Sequence, residues 1–85
     1  MSSIVKKLIG EITSLAFEIT NKTKHDVFAR YEGHVNAIII SYHDGGYYSG
    51  SKEVEILELW MNSEKYHISK LKKAKRKLKK LLEES

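Results

Sequence analysis

The 85-residue sequence contains no cysteine and no proline. Without cysteine, the chain has no disulfide framework, no thiolate metal site and no cysteine nucleophile. Small secreted domains usually carry such cross-links, so we expect an intracellular protein that resides in the cytoplasm. Without proline, no residue interrupts a helix or a strand from within.

Long hydrophobic runs are also missing. No apolar segment approaches the roughly 20 residues that a membrane-spanning helix requires. The first residues, MSSIVKK, lack the unbroken apolar stretch of a signal peptide. Hydrophobic residues nevertheless make up 41% of the chain and are clustered. We therefore expect one folded domain over residues 1–85, with no membrane span.

Charge is unevenly distributed along the chain, whose formal net charge is +4. Residues 64–85 contain nine basic and three acidic side chains, a net charge of +6. Residues 1–63 contain six basic and eight acidic side chains, a net charge of −2. This asymmetry indicates an anionic partner for the C-terminal segment.

Two segments have apolar side chains at the spacing of three and four that is typical of amphipathic helices. Residues 3–20 form the first. The second is predicted to begin at Asn62-Ser63-Glu64, with Ser63 as its N-cap, and to end near Leu82. Its apolar stripe consists of His67, Leu71, Ala74, Leu78 and Leu81, of which Leu71 and Leu78 are expected to be buried.

Three strands are predicted between these helices. Residues 26–32 alternate between two faces, and residues 35–43 contain the three consecutive isoleucines of a central strand. Asp44-Gly45-Gly46 predicts a hairpin turn, after which residues 47–61 return as the third strand, interrupted at Ser49-Gly50-Ser51 by a bulge or by part of a long loop. The order α-β-β-β-α therefore predicts an α+β fold, in which a three-stranded antiparallel meander packs against two helices.

The basic segment KLKKAKRKLKK is the first candidate binding site. Its cationic residues are Lys70, Lys72, Lys73, Lys75, Arg76, Lys77, Lys79 and Lys80. Such a surface can follow the phosphates of a nucleic acid. One alternative is a solvated helix face whose lysine stems cover apolar surface. Another is a helix that lies on a membrane surface, which the lack of Trp or Phe on the apolar side disfavours.

Two neighbouring tyrosines are the second candidate. Tyr47 and Tyr48 follow the glycine turn, where they can stack on bases or fill a pocket of a partner protein. Cross-strand packing within the sheet is the alternative.

Catalytic chemistry has no recognisable pattern in this sequence. The four histidines do not form a metal-binding pair, and Gly45-Gly46 lacks the residues of a phosphate-binding loop. A chain this small encloses little pocket volume. We therefore expect a binding protein without a cofactor or a metal, and not an enzyme.

The segment TKHDVFARYEGHVN, residues 23–36, resembles small uncharacterised accessory proteins of phages and prophages of Gram-positive bacteria. The likeness extends to the plan of a leading helix, a meander and a final helix. It implies a protein that binds and modulates a host protein or nucleoprotein in the host cytoplasm, an anti-CRISPR inhibitor being one instance. The resemblance assigns no functional residue.

A second resemblance concerns topology. The α-β-β-β-α order and the pattern Ser69-Lys70-x-x-Lys73-Ala74-Lys75 look like the double-stranded-RNA-binding domain. That family has a lysine pair at the start of its last helix, whereas here the cluster lies inside the helix. The alternative function is therefore nucleic-acid binding through the basic C-terminal helix. For either function we expect a monomer or a weak homodimer.

Overall fold

A computed structural model of the chain describes residues 3–48, 50–63 and 65–84. Helix α1 spans Ser3–Lys22, strands β1, β2 and β3 span Asp26–Glu32, Ala37–His43 and Glu53–Trp60, and helix α2 spans His67–Glu83. This order confirms the predicted α-β-β-β-α fold. The Cα atoms extend over 34 × 25 × 16 Å, and the shortest dimension fits two layers, because packed layers lie about 10 Å apart.

The three strands form one antiparallel sheet in the order β1-β2-β3. β2 is the central strand, as its isoleucines predicted. Ile40 is paired with Ala29 on one side and with Leu57 on the other, so these three side chains share one face of the sheet. The β2–β3 register shifts between Ile40 and Ser41, which leaves Ile56 without a direct partner.

Both helices pack against the same face of this sheet. The buried core joins five residues of α1 to three of α2 and to the inward-facing residues of the strands. Leu71 and Leu78 are fully buried, which confirms the prediction for the α2 stripe. The core residues are Val5, Leu8, Ile12, Ala16, Ile19, Val27, Ile38, Ile40, Leu57, Leu59, Met61, Leu71, Ala74 and Leu78.

The core is aliphatic and contains none of the eight aromatic residues of the chain. Six of the eight are exposed, which is a large share because aromatic side chains normally dominate the cores of small proteins. The exposed ones are Phe17, Tyr31, Tyr47, Tyr48, Trp60 and Tyr66. Aromatic area of this kind is a resource for contacts with other molecules.

The start of α2 differs from the prediction. Ser63 is not the N-cap, since the helix begins at His67 and is preceded by Tyr66 in a left-handed conformation, with φ 62° and ψ 40°. The Ser63 amide instead donates a hydrogen bond to the Trp60 carbonyl at 3.2 Å. The predicted Glu64 lies outside the described residues. The connection from β3 to α2 crosses from the sheet to the helical layer, and local capping preferences do not encode such a crossing.

The strand boundaries are also corrected. β2 begins at Ala37 and not at residue 35, because residues 33–36 form a turn in which Asn36 has φ 50°. β3 begins at Glu53 and not at residue 47, because the described residues between positions 44 and 52 form a connecting loop, with positive φ at Gly45, Gly46 and Gly50. α1 continues two residues further than predicted, to Lys22, which pairs with Glu18 at 3.0 Å.

Candidate functional site

The β2–β3 connection holds Tyr47 in a defined place. Gly46 has φ 106°, and a Cβ atom there would lie 3.3 Å from the Lys24 carbonyl oxygen, so glycine is required. The next amide, that of Tyr47, donates to an Asp26 carboxylate oxygen at 2.6 Å. The Ser51 hydroxyl is 2.8 Å from His43 Nδ1 and accepts the Tyr48 amide at 3.2 Å. These contacts fold the loop back towards the sheet.

Tyr47 lies on the sheet face that the helices do not cover. Its ring centroid is 5.5 Å from that of Phe28 and 4.8 Å from that of His43. Phe28 and His43 alternate with the buried Val27 and the inward-facing Tyr42, so they point away from the helices. The Tyr47 side chain remains 67% exposed, so it shields His43 while presenting its own ring to solvent.

The apolar strip continues across this face. Ile39 on β2 is half-buried, and Trp60 at the end of β3 is 38% exposed. Trp60 pairs with Ala37 of β2 and donates from its indole N–H to Glu58 at 3.3 Å. We call the strip formed by Phe28, Ile39, Tyr47 and Trp60 the aromatic sheet face.

Acidic side chains surround the aromatic sheet face. Five carboxylates and one guanidinium point from the same side of the strands, a formal charge of −4. These residues are Asp26, Glu32, Glu53, Glu55, Glu58 and Arg30. Glu53 accepts the Ser41 hydroxyl at 2.9 Å, and Glu55 and Glu58 are exposed. A partner that fits this face would carry positive charge around an apolar centre.

The basic residues of α2 lie in the other layer and form two groups. At about 100° of rotation per residue, Lys72, Lys75, Arg76 and Lys79 turn towards α1, where they line a cleft. Lys70, Lys73 and Lys77 turn towards β3 and line a shallow depression beside Glu55 and Glu58. Lys80 lies between the two groups and is 3.9 Å from Glu84.

The group that lines the cleft between the helices is more basic than the group beside β3. Lys7 of α1 adds a fifth cation, and Glu11 is the single acidic residue in the lining. Glu11 is already paired with Lys75 at 3.1 Å. Within the described ranges, Lys7, Lys72, Arg76 and Lys79 have no carboxylate at salt-bridge distance.

The structure therefore separates the two predicted candidate sites. The lysines and Arg76 belong to the helical layer, whereas Tyr47 belongs to the opposite sheet face. Tyr48 is 60% exposed in the connecting loop, with no ring contact among the described residues. Two features were not foreseen from the sequence: Trp60 lies on the uncovered sheet face, and Lys7 lies beside the basic residues of α2. Trp60 follows the buried Leu59, and successive side chains of a strand point to opposite faces. This alternation is the sequence signal that would have placed Trp60 on the uncovered face.

Across residues 3–48, 50–63 and 65–84, no group of three or more potential metal ligands occurs. In the same part of the chain, neither helix is long and apolar enough to cross a membrane. Comparison with protein-family models, with curated proteins and with solved structures finds no match to this chain. Fold and surfaces together define a small two-layer α+β protein with an aromatic, acidic face and a basic, helical face.

Proposed function

We propose that this protein is a binding module whose aromatic sheet face docks on a basic surface of a partner protein. The observation that carries the proposal is the uncovered sheet face itself, with Tyr47 at one end, Trp60 at the other and acidic residues along the strands between them. Rigid aromatic anchors within a polar rim are the usual anatomy of protein interfaces.

The partner that fits the sequence resemblance is a bacterial host protein or nucleoprotein. On this proposal the chain is a phage or prophage accessory protein that acts in the host cytoplasm, and an inhibitor of the anti-CRISPR type is one instance. The net charge of −4 on the sheet face supports a basic partner, and proteins that hold nucleic acid are basic. The role is binding and not catalysis.

We propose that the protein is a monomer or a weak homodimer before it meets its partner. The acidic sheet face and the basic helical face attract each other between copies. Such a contact joins two different surfaces, however, whereas a symmetric dimer uses the same surface of both copies. Screening by salt at physiological ionic strength weakens it further.

The test is a pull-down from lysate of a Gram-positive host, followed by titration of the purified partner. We expect Trp60→Ala to weaken binding by about 2 kcal/mol, roughly 30-fold, as for an aromatic hot spot. Glu55→Lys is expected to slow association and to reduce its salt dependence. The matched control is Phe17→Ala, which removes a 72% exposed aromatic ring from α1, in the helical layer.

The proposal requires that the control binds as the wild type does and that both sheet-face variants keep their circular dichroism spectrum. A partner that binds the Trp60→Ala and Glu55→Lys variants with unchanged affinity would exclude the aromatic sheet face as the interface. Recovery of no partner by the folded wild-type chain would count against the proposed function as a whole.

A further inference from the structure

A second concave surface runs along the helical layer, on the side away from the aromatic sheet face. One part is the cleft between α1 and α2, with a volume of about 450 Å³. The other part, of about 880 Å³, lies at the start of α2 and is lined by Asn36, Asn62, Lys65, Tyr66 and Ser69 among others. Lys72 lines both parts, which therefore adjoin, and together we call them the groove.

The groove is cationic along its whole length. It contains Lys7, Lys65, Lys72, Lys75, Arg76 and Lys79, and the one carboxylate among its described lining residues, Glu11, pairs with Lys75 at 3.1 Å. The other five cations have no acidic partner at salt-bridge distance in the described part of the chain. The α2 side of the groove, from residue 67 to residue 79, is about 18 Å long at 1.5 Å per residue. A polyanion could therefore contact several of these cations at once.

One end of the groove has an aromatic side chain. Tyr66 is 76% exposed and is held in a left-handed conformation immediately before α2. Asn36 holds Met61 and Asn62, because its side chain donates to Asn62 at 3.0 Å and its carbonyl accepts the Met61 amide at 2.9 Å. The Tyr66 ring thus lies beside the amide groups of Asn36 and Asn62 and the hydroxyl of Ser69, which can bind polar edges.

We infer that this groove binds single-stranded nucleic acid, with the phosphates along α2 and a base stacked on Tyr66. A cationic groove that ends at an exposed aromatic ring is the arrangement by which proteins hold single strands. The phosphates of one strand can follow the cations along α2, and only an unpaired strand leaves a base free to stack on Tyr66. This site is separate from the aromatic sheet face, and either site can fail without the other.

The experiment is fluorescence anisotropy with labelled single-stranded DNA and RNA of about 12 nucleotides, between about 50 mM and 200 mM salt. With five unpaired cations, log K is expected to fall against log salt with a slope of up to about −3.5. The variant Lys72→Gln/Lys79→Gln should weaken binding at least about tenfold at the lower salt and reduce the slope by about 1.4. Tyr66→Asn, which tolerates the left-handed backbone, should weaken binding roughly tenfold through lost stacking.

The matched control is Lys73→Gln/Lys77→Gln, which removes the same charge from two exposed lysines on the side of α2 that faces β3. We expect it to bind within about threefold of the wild type. Equal losses for the two double variants would mean attraction to overall charge and would overturn the groove assignment. Two results would overturn the single-strand assignment. One is tighter binding of duplex than of single strands; the other is tighter binding of inorganic polyphosphate than of single strands, together with unchanged single-strand affinity of the Tyr66→Asn variant.

Discussion

Asn36, just before β2, joins the C-terminal end of β1 to the residues that follow β3. Its side-chain oxygen accepts the Tyr31 hydroxyl at 2.6 Å, and its side-chain nitrogen donates to Asn62 at 3.0 Å. Its carbonyl accepts the Met61 amide at 2.9 Å. Its φ of 50° lies in the left-handed region, which asparagine tolerates better than most residues. One residue thus serves both a turn and a tertiary contact.

We expect Asn36→Ala to lower the free energy of unfolding by about 2 kcal/mol, because it loses two side-chain hydrogen bonds and places a Cβ-bearing, non-polar residue at positive φ. Asn36→Gly loses the same hydrogen bonds without the backbone strain, so it should cost about half as much. Urea denaturation of the two variants measures the difference. Equal losses would mean that the left-handed conformation contributes nothing.

Helix α2 combines two opposite surfaces in 17 residues. Leu71, Ala74 and Leu78 are buried against α1 and the sheet, while the basic side chains occupy the remaining arc. The helix lacks a side-chain N-cap, and short helices are marginal in isolation. Its stability therefore depends on the buried stripe.

Replacement of Leu71 or Leu78 by alanine is expected to cost about 2–4 kcal/mol each, the range for a fully buried leucine. In a protein of this size that is a large part of the total stability. Thermal melting followed by circular dichroism gives the value. Lys77→Ala on the exposed side of the same helix is the control and should change stability by less than about 0.5 kcal/mol. A loss below about 1 kcal/mol at either leucine would contradict the packing described here.

At the scale of the whole molecule, charge is divided between the two layers. Helix α2 has eight basic residues and one acidic residue, a formal charge of +7, whereas the outer side of the sheet has a charge of −4. The separation follows from the topology, because both helices cover one face and leave the other to the acidic residues of the strands. Each layer therefore presents a different kind of surface to a partner.

Simultaneous replacement of Lys72, Lys73, Arg76 and Lys80 by glutamate changes the net charge from +4 to −4, since each replacement subtracts two. All four side chains are exposed, so we expect the fold to persist with a loss of about 2 kcal/mol or less. Circular dichroism and thermal melting test this. The corresponding glutamine variant, with a net charge of 0, separates the loss of positive charge from new repulsion. Unfolding of the glutamine variant would show that these side chains support the fold.

The order of the elements and the buried stripe of α2 were predictable from the sequence. Each depends on the local period of apolar residues, which is about 3.6 in a helix and 2 in a strand. The alternation of side chains in residues 26–32 also predicted that Phe28 and Val27 lie on opposite faces of the sheet. The positions at which elements begin were less predictable, as Ser63 and His67 illustrate, because a tertiary crossing outweighed the local capping preference.

Only the tertiary structure decided which sheet face remains uncovered. β2 is apolar on both sides, with Ile38 and Ile40 on one and Ile39 on the other, so its sequence fits a strand covered on either face. Because both helices pack against Ile38 and Ile40, the opposite face remains uncovered, with Trp60 exposed and Phe28 and Ile39 half-buried. In the same way, Lys7 and Lys72 meet only because α1 packs beside α2. Contacts between residues distant in the sequence have no local period, and such contacts form the two surfaces proposed here to bind partners.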